Sequence, residues 1–387
     1  MLMPNIYKPI QGIIRVEKFF QLLYQGLLIF TLIYILGYPF VSKSATYVLQ
    51  LPILCTVGLL FLCYILYGRY NIFELVGLAG IIFIILFNYM WYEMPITAEL
   101  LYHTAEFVSF VILIIASNAF TLNHKILSFT YYICALATLV LLAYSFSSFA
   151  HWDTKRYVEG LTLGFYNPNF TGIILFLLYS IIYMCRPKNY SVISFILIGI
   201  LLYLIMQTHS RTTLLAALLV PPLALFARNK PISNVLICTI CSVPFLFVKF
   251  YLDLYHRIGP TGTFLGKTLF SGREQIFVNA LYSIYEPIHY LVGHAQQDMF
   301  SNAHNGPLAI FVSIGIVGSI LFYSIFLRRL FLYNKQVGTH TAACAILVLL
   351  ATFIHSCGEA GLFTGGYPMP VFMFIFFVLA QYKGNNI

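Results

Sequence analysis

Residues 271 to 319, SGREQIFVNALYSIYEPIHYLVGHAQQDMFSNAHNGPLAIFVSIGIVGS, run from a polar segment carrying Arg273 to His304 and Asn305 at the lip of an apolar helix. This passage decides the fold, because it marks where the chain leaves an aqueous loop and enters lipid. With 60% hydrophobic residues, 9% charged residues and a mean hydropathy of +0.88, the chain has too much apolar surface to hide inside a soluble globule. It reads as an all-α polytopic integral membrane protein. Its 387 residues leave room for about twelve spanning helices of about 20 residues each and one sizeable loop. A single transmembrane domain, residues 1–387, is the economical division. The formal charge of +9 comes from basic residues scattered through short loops. With no basic tract, nucleic acid is excluded as a partner, and membrane topology and a phosphate-bearing lipid explain the charge. The eight cysteines fall almost entirely in apolar runs, where they act as small hydrophobes, and Cys238 and Cys241 have no second ligand pair. The first apolar run lacks a cleavage-site pattern and reads as a retained span.

Apolar runs predict spans near Phe19–Gly37, Tyr47–Tyr67, Ile72–Met90, Leu100–Ala116, Ile126–Phe146 and Phe165–Cys185. The second half adds Ser191–Gln207, Thr212–Ala227, Ile232–Tyr251, Gly306–Phe326, Thr341–His355 and Tyr367–Tyr382. Pro221 and Pro222 should kink the eighth. With the N-terminus inside, Lys8, Lys18, Arg69, Lys125, Arg186, Lys188, Arg228, Arg328, Arg329 and Lys383 fall on the cytoplasmic side. The opposite side holds fewer basic residues and most of the acids, among them Glu93, Asp153, Glu274, Asp298 and Glu359. Both termini are therefore expected in the cytoplasm, and the two tryptophans, Trp91 and Trp152, at the outer interface.

This orientation puts the one long connection, residues 251–303, outside the cytoplasm. A loop of that length does more than join two helices. Its positions Ile276, Phe277, Ala280, Leu281 and Ile284 suit an amphipathic helix on the membrane surface. A second outer loop leads into Tyr166, Asn167, Pro168 and Asn169. Asn167 can cap a helix that starts at Pro168; alternatively the amides of Asn167 and Asn169 bind sugar hydroxyls at a cavity mouth.

Three chemistry-bearing groups share the outer face: Arg211 in a tight hairpin, Arg273 in the long loop and His304 at the start of the tenth span. Each has a bland alternative: a snorkelling arginine, a solvated loop charge, a helix cap. Together they suit transfer from a lipid diphosphate. Breaking a sugar–diphosphate bond leaves an anion whose charge needs stabilising, and arginine stays charged and binds phosphate oxygens as a fork. The attacking hydroxyl must lose a proton, and imidazole is a suitable acceptor near neutral pH. There is no D-x-D pair, and the outer acids are dispersed, so no metal site or cofactor is expected. Glu74, His103 and Glu106 lie within spans; they keep open a flippase or transporter, which would place charges along a midplane path.

The strings Thr208-His209-Ser210-Arg211-Thr212-Thr213, Ser271-Gly272-Arg273 and Ala303-His304-Asn305-Gly306, followed by Gly315-Ile316-Val317-Gly318, resemble those of the O-antigen polymerase and O-antigen ligase superfamily. The Asn167-Pro168-Asn169 string looks similar too, and the likeness covers residues 167 to about 318 in order and spacing. The resemblance implies a metal-independent glycosyltransferase with an undecaprenyl diphosphate-linked oligosaccharide donor. In it Arg211 and Arg273 would hold the diphosphate, His304 would act as base, and Asn167, Asn169, Asn305, His209 and Ser210 would be substrate-binding candidates. The acceptor would be a lipid-linked repeat unit for a polymerase, the preferred reading, or a lipid A core sugar for a ligase. The setting would be the bacterial inner membrane, with the site on its periplasmic face and room for a chain-length regulator as a further partner.

Overall fold

A computed structural model describes residues 10–41, 43–67, 70–93, 97–120, 122–153, 156–157, 159–165, 167–187, 191–226, 230–259, 263–264, 267–268, 270, 272–294, 304–359 and 368–383. Of the residues singled out above, Lys8, Arg69, Tyr166, Lys188, Ala227, Arg228, Ser271, Asp298, Ala303 and Tyr367 lie outside the described residues. The first helices are α1 (Ile10–Gly37), α2 (Lys43–Tyr67), α3 (Ile72–Trp91), α4 (Ala98–Ala116), α5 (His124–Ser145) and α6 (Pro168–Cys185). They are followed by α7 (Ser191–Gln207), α8 (Arg211–Phe226) and α9 (Lys230–Ile258). Two short helices, α10 (Arg273–Ser283) and α11 (Pro287–Val292), lead to α12 (Gly306–Gln336), α13 (His340–His355) and α14 (Pro368–Leu379). Apart from these and short 3-10 turns, the described residues form only two antiparallel pairings of two residues per strand.

A helix occupies each of the twelve predicted stretches. Among the described residues seven, α1 to α6 and α12, are long and apolar enough to cross a membrane, and α7, α8, α13 and α14 are shorter apolar helices. The chain is thus a membrane-embedded helical protein. Large apolar side chains such as Leu62, Val76, Phe83, Leu136, Phe195 and Leu225 are exposed around the periphery, a coat that water would not tolerate and hydrocarbon does. Inside it, α6 and α13 are buried along almost their whole length and every residue of α14 is buried. Helix α13 touches α6, α8, α9, α12 and α14, so it is the axis on which the second half is assembled.

Helix starts follow the polar residues. Asn71, Thr97, Asn123 and Thr339 each accept a hydrogen bond from the first turn of the helix they precede, satisfying donors that lipid cannot. Helix ends are less legible. Helices α9 and α12 outrun their predicted spans, because hydropathy marks where lipid ends and a helix continues past that point. Arg329, expected in a cytoplasmic connection, lies inside α12, is 2% exposed and is paired with buried Glu74 of α3. Its Nη2 also donates to the Ile115 carbonyl at 3.1 Å. Removing one member of such a pair strands the other charge in a low-dielectric interior. Glu74→Gln is expected to cost about 3–5 kcal/mol, read as a lowered Tm in detergent. The double variant Glu74→Leu/Arg329→Met should recover most of that loss.

Helix α12 is broken at Gly315, which has φ 62° and ψ −169°. A Cβ there would sit 2.4 Å from the Leu291 carbonyl, so only glycine allows the end of α11 to lie against the break. Polar groups stitch the two together: the His294 N–H donates to the Val312 carbonyl at 2.8 Å. Asn88 of α3 donates through Nδ2 to the Val292 carbonyl at 2.7 Å and the Ser313 carbonyl at 3.3 Å. The break thereby frees and immediately re-satisfies backbone groups. Helix α10 packs its apolar side against the bundle. It turns Phe277 inward, and Phe277 and Ile284 form an apolar cluster with Val248 of α9 and Leu308, Ala309 and Val312 of α12. Helix α10 is thus docked on the same helix stretch whose tip carries His304.

Candidate functional site

Four separate segments converge at one end of the bundle. The first is the turn Thr208–Ser210 and the start of α8. Gly172 of α6 packs against it closely, with a Cβ position 3.0 Å from Thr213 Oγ1 and 3.2 Å from Thr208 Oγ1. Ser210 Oγ lies 2.8 Å from Thr213 Oγ1, which in turn lies 3.0 Å from Nε2 of His355. This buried chain of hydroxyls ties α8 to the C-terminus of α13 and fixes where Arg211, the first residue of α8, stands. The second segment is the start of α10, where the Phe270 carbonyl accepts from the Arg273 N–H at 3.1 Å and also from the Tyr251 hydroxyl.

The third segment is the tip of α12. Asn305 caps the helix by accepting from the Leu308 N–H at 2.9 Å, and its Nδ2 donates to the Cys357 carbonyl at 3.2 Å. The Gly306 N–H donates to the Ser356 carbonyl at 3.0 Å. These bonds clamp α12 to the fourth segment, residues 356–359, which follows α13. His304 itself has φ +44°, in the left-handed region where non-glycine residues are uncommon. Such a conformation costs on the order of 1–3 kcal/mol and persists only when the surroundings impose it, as the neighbouring cap does here.

The convergence centres on Glu359. Its Oε1 accepts a hydrogen bond from Arg273 Nη2 at 2.7 Å, and its Oε2 lies 3.4 Å from His304 Nδ1. Gly358 makes room for this, since a Cβ on it would lie 2.6 Å from Thr212 Cγ2 and 2.8 Å from Arg273 Nη1. Burial alone would raise the Glu359 carboxyl, but the His304 hydrogen bond and the Arg273 charge outweigh it and hold the group below the usual carboxylate range. A carboxylate depressed on folding contributes stability that is complete above its unfolded value and is lost as pH falls through its lower folded value. Wild-type Tm in detergent, compared with that of Glu359→Gln, should therefore keep a constant difference at neutral and mildly acidic pH. The difference should narrow only below the ordinary carboxylate range.

Arg211 and Arg273 lie within Coulombic reach of one another, and both also act on Tyr251. Two guanidiniums that feel one another's charge suit an anion that would relieve the repulsion. An apolar groove of about 840 Å³ runs between α9, α10 and α12. It starts at Asn305, next to His304, and passes Leu308, Phe311, Ile320, Tyr323 and Leu327, with Lys249, Asp253 and His256 of α9 along it.

The structure thus joins His304 and Arg273 through one carboxylate and brings Arg211 within electrostatic range. The other candidates have local duties. Asn167 caps α6, accepting from the Asn169 N–H at 2.7 Å and more weakly from the Phe170 N–H at 3.4 Å, while Asn169 is half-buried in the first turn. Ser210 and Asn305 are buried in the bonds described, and His209, at φ +55°, is exposed in the turn before α8. Sequence reasoning placed Glu359 among the outer acids and quoted Thr213 in the string around Arg211 without assigning either a role, and passed over His355 and Gly358. The available signal was a lone acid in His355-Ser356-Cys357-Gly358-Glu359, immediately after an apolar run. Among the described residues no group of three or more His, Cys, Asp or Glu is placed to hold a metal ion. No protein-family model, curated protein or solved structure matches the chain.

Proposed function

We propose that the chain is a multi-pass glycosyltransferase of the bacterial cytoplasmic membrane that takes a glycan from undecaprenyl diphosphate and polymerises repeat units of a surface polysaccharide. The observation that carries this reading is the pairing of Arg273 and His304 on Glu359, with Arg211 in range and an apolar groove along α12 whose lining includes the neighbouring Asn305. In this account the bundle crosses the membrane twelve times with both termini in the cytoplasm, and residues 251–303 lie outside. The prenyl chain lies in the groove along α12, and the diphosphate sits between Arg211 and Arg273. The acceptor hydroxyl gives its proton to His304 as its oxygen bonds the anomeric carbon. The bond from that carbon to the diphosphate oxygen breaks, and its electron pair leaves with the diphosphate, whose charge the arginines stabilise. Neither step calls for a metal ion.

The resemblance to O-antigen polymerases and ligases supports the same donor for two acceptors. The deciding experiment incubates the purified protein in detergent with a lipid-linked repeat unit and, separately, with a lipid A core acceptor. Longer glycan still on undecaprenyl diphosphate identifies a polymerase, and glycan on the core a ligase. No transfer to either, with movement of the lipid across vesicles containing the protein, would replace the enzyme reading with a flippase.

A further inference from the structure

Glu359 is 6% exposed and its two oxygens serve different partners, Arg273 on one side and His304 on the other. Its position is rigidly set. The carbonyls of Ser356 and Cys357 are held by the N-terminus of α12, and Gly358 is wedged against Thr212 and Arg273. Arg273 is the nearer partner as it stands, at 2.7 Å against 3.4 Å for His304 Nδ1. An arginine whose fork is shared with a carboxylate is only partly available for phosphate, and a carboxylate neutralised by arginine is a weak partner for an imidazole.

We propose that Glu359 is a positioning residue through which occupancy of the arginine clamp readies His304 to accept a proton. The inference rests on the reading of Arg273 as a diphosphate ligand and His304 as the base. When a diphosphate engages Arg273, the guanidinium divides its hydrogen bonds, and the Glu359 charge turns to His304. Nδ1–H then donates to Glu359 Oε2, which fixes the tautomer with Nε2 bare and compensates the imidazolium formed when Nε2 takes the hydroxyl proton. An empty site leaves Glu359 committed to Arg273, so proton removal is favoured only with donor in place. Such coupling would disfavour activating water when no glycan donor is bound.

The test uses the full-length protein in detergent with ¹⁵N-labelled histidine, inorganic pyrophosphate as the probe, and His304→Asn to assign the His304 signals. In wild type, pyrophosphate should move the His304 Nδ1–H proton resonance downfield, toward a stronger hydrogen bond. In Glu359→Gln, pyrophosphate should still bind but the His304 resonance should not follow. An equal response in Glu359→Gln would mean that the phosphate charge acts on His304 directly, and an absent response in wild type would mean that the two are not coupled; either overturns the proposal. Should Glu359→Gln fail to fold, Glu359→Asp, one methylene shorter, carries the same readout with an attenuated response expected. With a lipid-linked donor, Glu359→Gln should lower kcat about 10–100-fold with little change in KM, and Glu359→Asp should restore part of the loss. Coupling without glycan transfer in wild type would sustain this inference and overturn the transferase reading, whereas transfer without coupling would do the reverse.

Discussion

His304→Ala is expected to reduce glycan transfer by about 10²–10⁴-fold, the usual worth of a positioned general base, while binding of the lipid diphosphate donor is largely retained. The expectation rests on geometry: His304 projects from the tip of α12 in a left-handed conformation and directs Nδ1 at a buried carboxylate. That arrangement leaves the other ring nitrogen for substrate. Loss of activity could also follow from a disturbed helix start, so a second variant separates the two. Asn tolerates the left-handed region, and His304→Asn should keep stability within about 1 kcal/mol of wild type while losing transfer to the same degree. Donor binding is measured by equilibrium titration with labelled lipid, and stability by Tm. An active His304→Asn would remove His304 as the base.

Arg273→Gln is expected to lower kcat by about 10²–10³-fold, the scale on which removing one donor to a developing oxyanion acts, and to weaken donor binding as well. The second effect arises because Arg273 faces both the proposed diphosphate position and Glu359, so its loss leaves a buried carboxylate without its nearest counter-charge. Lysine should not restore the activity, since a point charge cannot span two phosphate oxygens and a carboxylate as a planar fork does. Arg211→Gln should weaken donor binding with a smaller loss of stability, because it relieves repulsion of Arg273 rather than removing the counter-charge of buried Glu359. Steady-state kinetics with a lipid-linked donor, beside Tm for each variant, checks all three. Equal activity of Arg273→Lys and wild type would contradict the fork.

The two halves of the problem differed in how far residues alone could carry them. Long apolar runs placed the helices because lipid demands an unbroken stretch, and Asn167, read as a cap, marked a start for a local reason. Local chemistry could not say where α12 ends, since Arg329 answers to Glu74, which is 255 residues away in sequence. The site shows the same division. Arg211, Arg273 and His304 stood out because charge or imidazole at a membrane boundary needs a reason. Glu359 did not, because acids are ordinary on that side and its partners lie 86 and 55 residues upstream. The glycines of the Gly315-Ile316-Val317-Gly318 string gained a physical meaning only once Gly315 was seen at a helix break against Leu291.

The central claim is that Arg211, Arg273, Glu359 and His304 together transfer a glycan from a lipid diphosphate by arginine and imidazole chemistry. Its most direct test is the initial rate of glycan lengthening by the purified protein on an undecaprenyl diphosphate-linked repeat unit, with and without excess EDTA. The account predicts the same rate in both, and a rate lost in His304→Asn under either condition. A rate abolished by EDTA and restored by added magnesium would contradict it.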